Sequence, residues 1–396
     1  MKLKLFFLVI FIFFVRVLIF SQDSTKIAQP GTNILYTVGY NRVPEGFNFP
    51  LIGFINVAQG NYTGLQIGFS NRNFFNFNGL EIAFANFVGH EFKGAQIAFF
   101  NATGKNSNGL TVGIFNAVGN ACNGCQIGFA NAIGNKFNGL NLGVFNAMEN
   151  SFHGTQVGLL NVIGNQMHGV QLGFSNVLGN HADGLQLGFV NVIGDKVHGI
   201  QMGFVNLVGN QMEGVQIGFL NKIHQLSGFQ LGFVNLIDTV SSGVPVGFFS
   251  LVKKNGYQAI EFGVSDIYPF NLSFKSGTKQ FYTSLNVSYG LDAKNPYAVG
   301  LGMGLIVHIC NQLGFNPEAG FQSTLFHSRN QIYNLQLNAL CALSDKFSVV
   351  VGPLLSLNHS NNKVDFLQPL FTLYQNKVDE SNILMVGLKA ALRYQF

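Results

Sequence analysis

The sequence predicts an all-β protein in two parts: an N-terminal β-solenoid of fifteen-residue repeats, then a C-terminal antiparallel β-barrel of the outer-membrane type. Three observations carry this expectation. Glycine recurs every fifteen residues from Gly64 to Gly214. Apolar and polar residues alternate through the final segment, which ends on Phe396. Only 10% of the 396 residues are charged, beside 48 Gly and 42 Phe, where a soluble domain carries about a quarter charged residues. Such a chain is too apolar to be disordered, and nine Pro with no three-residue glycine period exclude collagen. The net charge of +5 is small and scattered, so no nucleic-acid partner is expected.

Residues 1–21 read as an export signal. Met1-Lys2-Leu3-Lys4 is basic, Leu5 to Val15 is apolar, and Arg16 interrupts the run before Ser21. A membrane-spanning helix needs about 20 uninterrupted apolar residues, so the segment suits cleavage better than anchoring. Its removal takes Lys2, Lys4 and Arg16 with it and lowers the formal charge from +5 to +2. Residues 22–45 form a lead-in.

The repeat occupies 46–250. Gly169, Gly184 and Gly199 open successive units, and seven residues after each opening glycine comes an asparagine, as at Asn131, Asn161, Asn176, Asn191 and Asn206. Gly228 and Gly243 continue the series after a one-residue deletion. A period this regular indicates stacked structural units. In the unit Gly184–His198, positions 2, 4 and 6 (Leu185, Leu187, Phe189) are expected to face a core. Positions 10 and 14 (Ile193, Val197; Phe137 and Met167 elsewhere) are expected to join them. Asn at position 8 tolerates turn geometry and can ladder between coils. The glutamines at position 3 (Gln156, Gln171, Gln186, Gln201, Gln216 and Gln230) form either a structural amide ladder or an exposed ladder for a glycan or a protein. Charged residues of 64–249 gather at positions 11–15, except Arg72, Glu81 and Lys222. A competing reading makes each repeat one membrane strand of a larger barrel. In-register columns favour parallel stacking, because antiparallel neighbours would scatter them.

Residues 251–396 read as the barrel. Val386, Leu388, Ala390, Leu392, Tyr394 and Phe396 share one strand face, with Gly387, Lys389, Ala391, Arg393 and Gln395 on the other. Similar alternation marks 281–289 and 333–343, with further candidates at 257–264, 269–275, 297–309, 314–326, 346–358 and 365–375. Eight or nine strands suit a small membrane barrel. Phe396 resembles the terminal assembly signal of outer-membrane barrels, which implies outer-membrane lipid and the barrel-assembly machinery as partners.

Signs of chemistry are weak. His153, His168, Asp183, His198 and Glu213 share position 15, which reads as a solvated turn more readily than as a metal column. Cys122 and Cys125 fall at positions 14 and 2 and read as core filling. Gly300-Leu301-Gly302-Met303-Gly304 lies inside a strand pattern and has no lysine or helix to bind phosphate. No catalytic, cofactor or metal residues are expected, and the chain does not read as an enzyme.

The Gly-x-Gln-x-Gly-Phe-x-Asn-x-x-Gly-Asn unit resembles a family of bacterial surface-repeat proteins over roughly 46–250, and more loosely the β-roll heads of trimeric autotransporter adhesins, whose stalk is missing here. The first resemblance implies an exported, outer-membrane location and carries no catalytic residues. The expected function is a non-enzymatic outer-membrane surface protein, a barrel-anchored repeat scaffold for contact or adhesion. The alternative is a pore or transport barrel built from the repeats.

Overall fold

The structure, a computed structural model, describes residues 34–291, 296–310, 312–325, 330–360, 369 and 372–396. The expected export signal lies outside them. The chain is all-β: a parallel β-solenoid of about fourteen coils over 40–254, followed by a closed eight-stranded antiparallel barrel. Two compact units divide it, one ending at Phe204 and the other, Val205–Phe396, holding the last coils and the barrel.

In the first unit each coil pairs with the next in parallel at the fifteen-residue register: His181–Ile193 lies on Gln166–Leu178, with Gly169 opposite Gly184 and Asn176 opposite Asn191. Pairing begins at Tyr40–Val43, so the end of the expected lead-in already belongs to the first coil. Parallel pairing overturns the reading of the repeats as membrane strands, which requires antiparallel neighbours.

Glycine at position 1 is obligatory. Gly184 sits at φ 134, and a Cβ there would lie 2.1 Å from the carbonyl oxygen of Gly169. At position 5, a Cβ on Gly188 would meet Asn176 Nδ2 at 2.6 Å and Asn191 Oδ1 at 2.9 Å. Glycines therefore make room for amides, and the interior is narrow.

The inward columns are positions 14 and 10, which are apolar, and 3 and 8, which are Gln and Asn. Phe137, Phe152, Met167, Ile163 and Ile193 are fully buried. Leu185 and Leu187, expected in the core, are only half-buried, and Phe189 is 47% exposed. The expectation that positions 2, 4 and 6 face inward is thus reversed. It assumed that the more apolar strand face turns inward, as in water-soluble proteins. Here the space between the two arms of a coil is filled by flat amides at positions 3 and 8, and larger apolar side chains are held inside only at positions 10 and 14.

The barrel, considered with the last coils in the second unit, comprises β1 (Tyr257–Ser265), β2 (Phe270–Gly277), β3 (Tyr282–Tyr289), β4 (Tyr297–Gly304), β5 (Leu313–Thr324), β6 (Gln331–Ala342), β7 (Phe347–His359) and β8 (Asn382–Gln395). Each pairs antiparallel with the next, and β8 returns to β1 through Leu392↔Phe262, which closes the wall. Of the expected strand 365–375, residues 365–368, 370 and 371 lie outside the described set. Tyr374–Lys377 is a short strand on β8, not a wall strand.

The last coil, Val244–Lys254, follows Phe229–Val240 in parallel. Its outer edge would otherwise present unpaired backbone groups. Instead Ser250 N donates to Ser276 Oγ at 3.1 Å, and Thr283 Oγ1 donates to the carbonyl of Gly247. Ser276 and Thr283 are paired neighbours on β2 and β3, and they point outward, since the adjoining Lys275 and Tyr282 point into the barrel. The outer barrel wall therefore caps the coil stack of this unit.

Candidate functional site

Two side-chain ladders run through the coils. Asn161 Nδ2 donates to Asn176 Oδ1 at 2.9 Å and to the carbonyl of Leu172 at 2.8 Å. Asn131, Asn176 and Asn206 repeat both bonds toward the following coil, and Asn191 Nδ2 donates to the carbonyl of Met202. The glutamine ladder runs the other way. Gln171 donates to Gln156 (3.0 Å), Gln186 to Gln171 (2.7 Å), Gln201 to Gln186 (3.0 Å) and Gln230 to Gln216 (2.6 Å). The opposed sense of the two amide stacks lets their dipoles offset. Gln156, Gln171, Gln186, Gln201 and Gln216 are all fully buried, so the reading of this column as an exposed contact ladder for a glycan or protein is corrected. The column is internal.

An amide ladder does lie at the surface, at position 12. There Asn135 donates to Asn120, Asn150 to Asn135, Asn165 to Asn150 and Asn180 to Asn165, at 2.7–3.0 Å. The Gly-Asn pairs of the repeat signal this edge. Beside it, exposed His153 and His168 stack at 4.7 Å, and Asp183 sits 2.9 Å from His168 and 3.7 Å from His198. No group of three or more metal-ligating side chains forms among the described residues. Cys122 is buried and Cys125 lies on the outer face, so core filling holds for Cys122 alone. Burial raises the Cys122 thiol to about 12.

The opposite edge of the coil is apolar. At position 6, Phe129, Phe174, Phe189 and Phe219 are 46–55% exposed. Phe54, Phe69, Phe84 and Phe99 stack ring on ring at 4.9–5.2 Å, as do Phe174, Phe189 and Phe204 at 5.0–5.1 Å. Exposed Ile82, Ile97, Ile127 and Met202 flank them at position 4. Ordinary monomers rarely expose apolar patches beyond a few hundred Å².

The barrel is polar inside and apolar outside. Ile260, Phe262, Leu272, Val287, Leu301, Phe315, Leu335, Val351, Leu388 and Leu392 are exposed on its outer wall. The lumen holds a buried ion cluster. Glu261 meets Lys389 (2.7 Å), Arg393 Nε (2.7 Å) and Lys275 (3.4 Å). Glu318 meets Lys275, Arg393 Nη2 (3.1 Å) and Lys389 (3.7 Å). Asn316 Oδ1 accepts from Arg393 Nη2 at 2.6 Å, and the Tyr282 hydroxyl donates to Glu318. Three cations thus face two carboxylates, with neutral polar groups completing the contacts. Gly302 and Gly304 sit against Ser284 and Tyr282 of this interior, which places the Gly300–Gly304 run in a wall strand, as expected. At the short-turn end a cavity of about 350 Å³ opens between Tyr257, His308, Ser348 and Arg393. Phe396 is exposed; its N–H donates to the carbonyl of Gln258 and its ring meets Tyr394 edge-on at 5.2 Å.

No family model matches the chain, and comparisons with curated proteins and with solved structures likewise return no match. The fold class is therefore defined by geometry: a fifteen-residue-period β-solenoid with asparagine ladders, joined to an eight-stranded barrel.

Proposed function

We propose that the protein is a non-enzymatic outer-membrane protein, with the barrel crossing the bilayer and the repeat array serving as a scaffold for contact. The observation that carries this reading is the inverted polarity of the barrel: an exposed apolar wall around a buried cluster of Glu261, Glu318, Lys275, Lys389 and Arg393. In water such a wall is unfavourable, and in lipid it is the expected arrangement. Among the described residues no helix is long and apolar enough to cross a membrane. The export-type N-terminus, the likeness of the repeat to surface-repeat proteins, and Phe396 as a handle for the barrel-assembly machinery agree with this location.

Connection lengths bear on sidedness. At the end where the array enters and Phe396 lies, strands are joined by 278–281, 305–312 and 343–346. At the other end the intervals are 266–269, 290–296, 325–330 and 360–381. Outer-membrane barrels keep short turns in the periplasm and longer loops outside, and the 22-residue interval 360–381 at the far end favours the periplasmic face for the last coils. The ion cluster across the lumen favours an anchor over a pore. Reconstitution of the full chain into planar bilayers tests this: stable insertion without ion conductance is expected. Recovery as a water-soluble protein after an alkaline wash, or steady conductance, overturns it.

A further inference from the structure

We infer that the phenylalanine edge of the second unit's coils is a lipid-binding surface, seated in the membrane leaflet at the end of the barrel that carries the turn 278–281; this rests on the barrel being the membrane anchor. Three observations carry it.

The first is continuity. In the second unit a chain of ring contacts leads from the coil edge to the barrel wall: Phe219–Phe233 at 4.9 Å, Phe233–Phe249 at 6.1 Å and Phe249–Phe274 at 6.3 Å. Phe274 is an outward residue of β2 and belongs to the same apolar wall that lipid would cover.

The second is orientation. Coils stack through their backbone edges, and the edge of the last coil is bonded to the outer wall at Ser276 and Thr283. The stacking direction of these coils therefore runs into the side of the barrel, along the plane of the proposed bilayer. Along β2, Ser276 precedes the short turn 278–281, and Phe274 lies two residues farther toward the middle of the wall. Position 8 of the last coil (Ser250) meets Ser276, while position 7 (Phe249) meets Phe274. The apolar edge is thus turned toward mid-wall, and the polar arc, including Lys253 and Lys254, is turned away.

The third is chemistry. Positions 4 and 6 carry aliphatic and phenylalanine side chains in coil after coil, with no charge at either position. At position 4 the backbone groups are engaged in coil-to-coil pairing, and at position 6 the N–H groups of Phe69 and Phe84 donate to the carbonyls of Phe54 and Phe69 one coil before. A protein partner would find almost nothing there to hydrogen-bond, whereas protein interfaces average about one hydrogen bond per 100–200 Å². Lipid chains need none.

The chain has no Trp, so single Trp probes are read against no background. In the full-length protein, Phe219→Trp marks the apolar edge of the second unit's coils, Asn210→Trp their polar edge and Leu301→Trp the barrel wall. Each variant is reconstituted into phosphatidylcholine vesicles with and without brominated acyl chains, and iodide is tested separately on both sides. The expected result is loss of emission to brominated lipid, with a blue shift, for Phe219→Trp and Leu301→Trp, and loss to iodide alone for Asn210→Trp. Quenching of Leu301→Trp by lipid but of Phe219→Trp by iodide overturns the inference and leaves the anchor intact. Protection of Phe219→Trp from both quenchers also overturns it, since a second copy or another protein would then cover the edge. Failure of lipid to quench Leu301→Trp overturns the anchor and the inference together.

Discussion

Glu81 stands where the ladder elsewhere carries glutamine, and it shows how little this core tolerates charge. Burial raises its carboxyl to about 8, although hydrogen bonds from Gln96 and Asn73 oppose the shift. Because the folded form favours the protonated acid, its contribution is complete below the ordinary value of 4.5 and is lost as pH rises through about 8. Stability should fall across that window by up to roughly 1.4 kcal/mol per pH unit. Glu81→Gln should remove this share of the slope, because glutamine can donate to Gln66 and accept from Gln96 like its neighbours in the column. Denaturation midpoints of the two proteins at pH 5 and pH 8 check this. Asn176 offers the reverse case. Asn176→Asp removes both N–H donors and buries a carboxylate, at a cost of several kcal/mol. Asn180→Asp on the exposed ladder should change stability by less than about 0.5 kcal/mol.

The ladder as an element breaks at Thr111, whose buried hydroxyl makes no hydrogen bond among the described residues, and again around Asn141. Gln126 and Asn141 make no side-chain hydrogen bonds among the described residues, and Gln156 Nε2 lacks an acceptor. All three are fully buried. Asn141 is one methylene too short to reach either neighbour, so the ladder breaks on both sides of it. Asn141→Gln should close the gap, joining residues 126, 141 and 156 and stabilising the array by about 1–2 kcal/mol. A higher thermal midpoint, and slower amide exchange in 121–163, would show it; no gain would mean that water already bridges the gap. The period, the glycine positions and the asparagine column were all legible in the sequence at this scale. Which face of the strand turns inward was not. Leu185 and Phe189 look like core residues by hydropathy, and only the approach of the two arms, set by glycines 1 and 5, shows that they do not fit.

Taken whole, the protein carries polar groups inside and an apolar face outside in both parts, although the coils also bury apolar columns at positions 10 and 14 and keep a polar arc at the surface. Half-exposed Phe rings each stand to gain on the order of 1 kcal/mol from leaving water, which makes the array alone a poor soluble protein. A 40–254 fragment should aggregate in buffer and disperse in detergent, as size-exclusion chromatography would report; a soluble monomer would contradict the exposure of the apolar edge. In the barrel, Glu261→Ala leaves Lys275, Lys389 and Arg393 with one carboxylate. Breaking buried ion pairs in this way costs about 3–5 kcal/mol, to be read as a lower unfolding midpoint in vesicles.

The fifteen-residue grid and the period-two strands were fixed by covalent order, because repetition and alternation are properties of the chain itself. From them came the solenoid, the barrel and the boundary near 250. The ion cluster was beyond such reading. Glu261, Lys275, Glu318, Lys389 and Arg393 lie on four strands of the wall, and nothing local links them until the wall closes. The capping of the last coil by Ser276 and Thr283 likewise depends on where distant strands meet. Periodicity reports which residues share a face, and packing alone decides whether that face meets a core, water or lipid.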